Sequence, residues 1–297
     1  MRIGIDIGGT KAAIVLMDNQ EQLVARCKVP TGADRPCRQV IAEIVGAMQE
    51  MLAQQQVDLA DVTFIGAGVP GTVDQTAQIV VHAPNLHWHN EPVGEYFIQA
   101  CGKRVLLAQD TRAAAWGEYR ARKDKCCVAS VTLGTGIGCG IVLNGRIWHG
   151  ALGTAGEIGH IPVSPGGRRC ACGRSGCMEA YASGTGITCS AREQGVCDSS
   201  EELFALAGHG NMQALEILRD AVDQVAVSIV AMINVLSPDV VLFSGGLAAQ
   251  QELFIHPLME RIRQWAYPQA AEGLELAVSA MGGDAPAIGA AFIDEGM

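Results

Sequence analysis

The sequence predicts an α/β protein built from two halves of like design, and three observations carry that expectation. Residues 2–29 read as strand, glycine-rich turn, strand, polar turn, strand. Residues 127–143 repeat the plan, and Asn144-Gly145 then offers a hairpin turn into a further strand. Elsewhere, apolar strand-length runs alternate with amphipathic helical stretches, the pattern of α/β folds. The 297 residues suit two domains or one large one. The expected division is a smaller lobe over residues 1–115, joined by a C-terminal helix at about 284–297, and a larger lobe over 116–283.

Residues 2–6 (RIGID) alternate and are β-branched, Gly8-Gly9-Thr10-Lys11 turns the chain, and 12–17 and 22–29 supply two more strands. A glycine pair in a tight hairpin is either a plain turn or a place where backbone N–H groups approach an anion. Asp6, at the end of the first strand, is placed to hold Mg²⁺ or its water shell. Residues 36–55 carry Val40, Ile41, Ile44, Val45, Met48 and Leu52 at helical spacing. The run 62–69 is a buried strand ending at Pro70-Gly71. The apolar 78–81 leads into the loop Ala83-Pro84-Asn85-Leu86-His87-Trp88, and a helix is expected over 91–101. His82, His87 and His89 cluster in sequence and read as surface-loop histidines. The strand 104–109 ends at Asp110, where the helix 111–121 begins. An acid there is either a helix cap or a group facing the crevice where α/β folds bind ligands.

The strand 127–133 meets Gly134-Thr135-Gly136-Ile137-Gly138-Cys139-Gly140, and 141–143 forms the next strand. Residues 184–210 are helical and loop-like, and 211–236 form one long, largely apolar helix that Ser237-Pro238 stops. The strand 239–243 runs into Ser244-Gly245-Gly246, whose glycines allow close backbone approach. Helix 254–266, strand 275–279 and helix 285–293 complete the chain.

Hydrophobic residues make up 49% and charged residues 18%, a globular composition. The formal charge of −10 argues against a nucleic-acid surface. It does not argue against ATP, whose phosphates are held locally by N–H groups and a metal. No run of eighteen apolar residues suggests a membrane span. Eleven cysteines without a secretory signal imply reduced thiols, a metal site and a cytoplasmic setting.

The segment 156–183, GEIGHIPVSPGGRRCACGRSGCMEAYAS, holds Cys170, Cys172 and Cys177 within eight residues, with His160 ten residues ahead of the first. Three thiolates and an imidazole close a tetrahedral structural Zn²⁺ site. Such a site would fix Glu157 and Glu179, which flank the ligands, relative to one another.

GEIGH followed by CxCGxxGCxEAxAS resembles the signature of the ROK sugar kinases, and further motifs extend the resemblance over nearly the whole chain. It implies a two-lobed actin-like ATPase fold of the ribonuclease H and hexokinase type, with a structural zinc loop. It implies that Glu157, His160 and Glu179 bind sugar hydroxyls, while His160 and the three cysteines hold zinc. DIGGTK (Asp6, Gly8, Gly9, Thr10, Lys11) is similar to the family's first phosphate motif. Gly134, Thr135, Gly136 and Gly138 form the second Gly-rich turn, and Gly245-Gly246 resembles the adenosine motif. The turn at Gly71 and the loop at Asn85 are similar to segments beside the sugar. Asp110 falls at the general base. Gln109 stands where the family has Asn, and Arg112 where a second Asn is frequent.

The implied reaction moves the γ-phosphoryl of ATP, with Mg²⁺, to the 6-hydroxyl of an aldohexose, glucose-type first. N-acetylmannosamine, allose and fructose are the alternative acceptors. The expected partners are ATP and a hexose, without nucleic acid or membrane, and a homodimer is left open. A sugar-responsive repressor would need an added helix-turn-helix domain, which does not fit ahead of a phosphate hairpin beginning at residue 6. A non-catalytic sensor is disfavoured by the acid at 110 and both Gly-Thr turns.

Overall fold

The computed structural model describes residues 1–32 and 34–297, which fall into two compact units. The first comprises 1–123, 145–147 and 283–297; the second comprises 124–144 and 148–282.

In the first unit, β1 (Arg2–Ile7), β2 (Lys11–Met17) and β3 (Leu23–Pro30) form an antiparallel meander. Helix α1 (Cys37–Gln54) buries Val40, Ile41, Ile44, Val45, Met48 and Leu52, the residues whose spacing predicted it. Burying each such side chain contributes about 1.5–3 kcal/mol, so this face and not intrinsic propensity holds the helix. Strand β4 (Phe64–Val69) pairs parallel with β1. β5 (Thr72–Asp74), β6 (Ile79–Ala83) and β7 (Trp88–Glu91) make a separate three-stranded antiparallel sheet. Helix α2 (Val93–Cys101) ends at Gly102, whose left-handed φ of 72° lets its N–H reach the Ile98 carbonyl. β8 (Leu106–Gln109) pairs parallel with β4, giving the order β3-β2-β1-β4-β8, and runs directly into α3 (Asp110–Arg120).

In the second unit, β9 (Cys127–Leu133) pairs antiparallel with β10 (Ile137–Leu143). The short strand β11 (Arg146–Ile147) is counted with the first unit. Then follow α4 (Glu179–Ala182), α5 (Gly184–Glu193), α6 (Ser200–Gly208) and the 25-residue α7 (Met212–Leu236). α7 starts where the Asn211 side chain accepts from the Ala214 N–H, and stops at Ser237, left-handed at φ 45° ahead of Pro238. β12 (Val240–Ser244) is parallel to β9. Helices α8 (His256–Trp265) and α9 (Pro268–Ala271) lead to β13 (Glu275–Val278), parallel to β12. The run β10-β9-β12-β13 therefore repeats the pairing of β2-β1-β4-β8, and the two-halved design read from the sequence is the observed one.

The chain returns to the first unit as α10 (Ala285–Ala290). A side chain at Gly289 would place its Cβ 1.7 Å from the Ala113 carbonyl oxygen, so α10 and α3 meet backbone to backbone.

Three local expectations shift. Gly138 lies inside β10 opposite Thr132, not in the turn, which is only residues 134–136. The helix expected at 254 starts earlier, as a π-helical turn over Gln251–Ile255, and becomes α-helical at His256. Asp110 is the first residue of α3, while Gln109 occupies the cap with φ −68° and ψ 138°. Asp110 thus stands at the first helical position, one residue past the cap.

Candidate functional site

The first unit gathers one set of the expected residues. Asp6 is the penultimate residue of β1, and the three-residue turn Gly8–Thr10 is closed by the Gly8 N–H on the Lys11 carbonyl at 3.0 Å. Burial above all, and the neighbouring Asp110 carboxylate next, push the Asp6 carboxyl up to about 7; Lys11 pulls it down and Asp284 adds to the rise. An acid cluster of this kind has oxygen ligands and excess negative charge, the donor chemistry that suits Mg²⁺. Asp110 Oδ1 accepts from the Thr111 N–H at 2.7 Å. Gln109 pairs with Val69 across β8 and β4.

The turn also meets the Asn85 loop. A Cβ at Gly9 would stand 2.7 Å from the Asn85 carbonyl oxygen, so only glycine lets the two backbones approach. Gly71 takes φ 87°, and a Cβ there would lie 2.1 Å from the His82 carbonyl oxygen. Thr31, fully buried, fixes the turn from behind: its hydroxyl donates to the Gly8 carbonyl at 2.7 Å and its N–H to the Thr10 carbonyl at 3.1 Å. No sequence signal marks Thr31, because its role arises only when β3 brings it beside the turn.

In the second unit, His160, Cys170, Cys172 and Cys177 place their ligand atoms within 4.8 Å of one another. Cys172 Sγ and Cys177 Sγ are 3.7 Å apart, and Cys170 Sγ is 3.6 Å from His160 Nδ1. Two sulfurs about 2.3 Å from a tetrahedral zinc lie roughly 3.8 Å apart, and a sulfur and a nitrogen at about 2.0–2.1 Å roughly 3.6 Å. The donor set fits such an ion. The other nitrogen, His160 Nε2, lies 3.9 Å from Glu157 Oε2. Glu179 opens α4 and reaches both ways: Oε2 accepts from the Ile137 N–H at 2.8 Å, and Oε1 is 3.9 Å from Cys170 Sγ. A Cβ at Gly136 would lie 2.7 Å from Glu179 Oε2, so the turn and the carboxylate are in close contact.

Three glycine turns of this unit converge. The Gly184 N–H donates to the Gly134 carbonyl at 2.8 Å, and the Thr185 hydroxyl to the Thr135 carbonyl at 3.0 Å. Gly245 takes φ 91°, and a Cβ there would meet the Leu133 carbonyl oxygen at 2.4 Å. Gly134, Thr135, Thr185, Arg192, Glu201 and Gly246 are among the residues lining a cavity of about 500 Å³. Gly136, Gly138 and Gly245 are not in its lining. The sequence reading passed over 184–210 as helix and loop. The signal was there, since Gly184-Thr185-Gly186 repeats Gly134-Thr135-Gly136.

A family model described as "ROK family" matches residues 2–296. The glucokinase of Halalkalibacterium halodurans is 32% identical over 310 residues, which cover 98% of this chain and 94% of that protein. The N-acetylmannosamine kinase of Salmonella arizonae is 31% identical over 301 residues, 99% of this chain and 98% of that one. Among solved structures, a ROK family glucokinase from Streptomyces griseus in complex with glucose and AMPPNP superposes with a TM-score of 0.83 at 29% identity, covering 98% of each chain. The paired α/β units with repeated sheet order thus have the actin-like ATPase fold of such kinases.

Proposed function

As the chain belongs to the ROK family, we propose that it is an ATP-dependent hexose kinase. It transfers the γ-phosphoryl of ATP to the 6-hydroxyl of an aldohexose, with a glucose-type sugar first. The observation that carries this reading is the convergence of the turns at 134–136, 184–186 and 245–246 on one cavity of about 500 Å³. That is a size suited to a nucleoside. Ser200, Glu201 and Gln250 supply polar groups in it for base and ribose.

Phosphoryl transfer depends on positioning and charge neutralisation. Backbone N–H groups of Gly9 and Thr10 in the first turn and of Thr135 and Gly136 in the second would bind phosphate oxygens. Asp6 would hold Mg²⁺, which supplies neutralisation of the charge on the transferring group. Asp110 would accept the proton of the attacking hydroxyl, and Gln109 and Asn85 would orient the sugar beside the turn at Gly71. Glu157, His160 and Glu179 would hold ring hydroxyls. His160 divides its nitrogens, with Nδ1 toward the cysteines and Nε2 toward Glu157. His160, Cys170, Cys172 and Cys177 would hold zinc, which supplies cross-linking of the loop; with four protein ligands it has no open position.

N-acetylmannosamine is the second acceptor. It is supported by the 31% identity to the Salmonella arizonae enzyme and by Gln109, whose longer amide alters a sugar-facing position. The test is ADP release measured across aldohexoses, ketohexoses and N-acetylated hexosamines. Turnover with glucose-type sugars supports the first reading. Turnover with ketohexoses alone overturns it.

A further inference from the structure

His82 and His89 were expected as loop residues; they stand instead on facing strands of the small sheet. They are directly paired across β6 and β7. Their ring centroids are 4.6 Å apart, and their Nδ1 atoms are 3.1 Å apart. Both side chains are exposed. The backbone beneath them is held firmly: Ala83, Leu86 and Trp88 are buried, and His87 closes the turn Pro84–Leu86 with φ 53°. The two rings therefore meet without the entropy cost of ordering two free segments.

A neutral imidazole carries one ring proton. The two Nδ1 atoms can share one proton as a hydrogen bond. Alternatively, both rings carry their proton on Nε2 and turn two Nδ1 lone pairs toward one point. Two imidazole nitrogens about 2.0–2.1 Å from a metal ion, and about 90–110° apart at it, are roughly 2.9–3.4 Å from one another. The observed 3.1 Å lies in that range. Imidazole nitrogen suits Ni²⁺, Cu²⁺ and Zn²⁺, whereas Mg²⁺ takes oxygen ligands.

We propose that His82 and His89 form a binding site for a late first-row divalent cation. It belongs to the first unit, whereas the cysteine cluster belongs to the second. Thr72, paired with His82 on β5, extends the same row and offers a hydroxyl beside the site. Water completes the coordination. Occupancy ties β6 to β7 at the root of the loop that carries Asn85, so the cation would stiffen that loop. His87 and His256 each face a single carboxylate, at 3.3 Å from Asp34 and 3.4 Å from Glu252, and make weaker competing sites.

The test is calorimetric titration of Ni²⁺ into the full chain carrying its cysteine-cluster metal, in a buffer that does not chelate. Wild type, His82→Ala, His89→Ala and the control His256→Ala are compared, with the His82→Ala/His89→Ala double variant as the blank and melting curves without added Ni²⁺ to show that each variant folds. The expected result is one saturable site in wild type and in His256→Ala, weakened by at least about tenfold in each of the other two variants. Excess Mg²⁺ should not compete. Either of two results overturns the site: single variants that titrate like wild type, or a wild type that binds no more Ni²⁺ than the double variant. The readout needs neither sugar nor ATP, so its failure is distinct from a failure of the kinase reading.

Discussion

Glu179 Oε2 accepts a hydrogen bond from the Ile137 N–H at 2.8 Å while Oε1 stands 3.9 Å from Cys170 Sγ, so one carboxylate ties the first residue of β10 to the cysteine cluster. The turn that opens the cavity and the loop that holds the ligand set are thereby fixed by the same side chain. Glu179→Gln keeps an oxygen acceptor for Ile137 but removes the charge. Hydrogen bonds to charged groups contribute about 1.5–3 kcal/mol, so sugar affinity should fall by roughly tenfold to a hundredfold. Metal content should not change. Calorimetry of sugar binding beside metal analysis checks both, and unchanged affinity would remove Glu179 from the sugar site.

The cysteine cluster should contain about one zinc per chain. Cys172→Ala removes a thiolate from the set His160, Cys170, Cys172, Cys177. Metal binding and folding are coupled, so the variant should lose zinc and melt at a lower temperature. Folded, active protein without zinc would contradict the assignment.

The buried Thr31 hydroxyl should matter to nucleotide handling, because it holds the Gly8 carbonyl at 2.7 Å. Thr31→Val keeps the volume and removes a hydrogen bond contributing about 1 kcal/mol. The KM for ATP should rise several-fold with sugar affinity retained. Thr135→Val, at the cavity, should act in the same direction. Loss of sugar affinity with ATP handling intact would show that these turns are wrongly assigned.

The acid cluster makes a pH prediction. The Asp6 carboxyl is raised from its ordinary value of 3.8 to about 7, first by burial and then by Asp110. Between those values the folded chain holds a proton that the unfolded chain has released. The contribution of Asp6 to stability is therefore fully present below 3.8 and is lost as pH rises through about 7. Asp6→Asn should flatten the stability profile over that window, measured by unfolding without Mg²⁺. Identical profiles for wild type and variant would refute the raised carboxyl.

Much of this was legible where a signal is local. α1 announced itself by the spacing Val40, Ile41, Ile44, Val45, Met48, Leu52, and the Cys/His cluster by its spacing along one short segment. The repeated strand and turn design gave the two units. What escaped depends on partners distant in sequence. Thr31 gains meaning only beside Gly8, and His82 only opposite His89. Gly138 was placed in a turn because its glycine neighbours look alike, while strand pairing with Thr132 draws it into β10. Thr185, Thr188 and Arg192 line the cavity because α5 packs its start against Gly134, a contact that periodicity does not encode.

The central claim is a positioned base for a sugar hydroxyl, and Asp110→Asn tests it most directly. The substitution keeps the shape at the start of α3 and removes the proton acceptor. A primary alcohol is a poor nucleophile at neutral pH, and positioned acid–base groups are worth about 10²–10⁴ in rate. The measurement is kcat for ADP release set beside calorimetric binding of sugar and ATP. The account predicts binding within a few-fold of wild type and kcat lowered by roughly 10²–10⁴. Near-full turnover in Asp110→Asn would contradict it and move the search for the base to Glu157, Glu179 and Asp6.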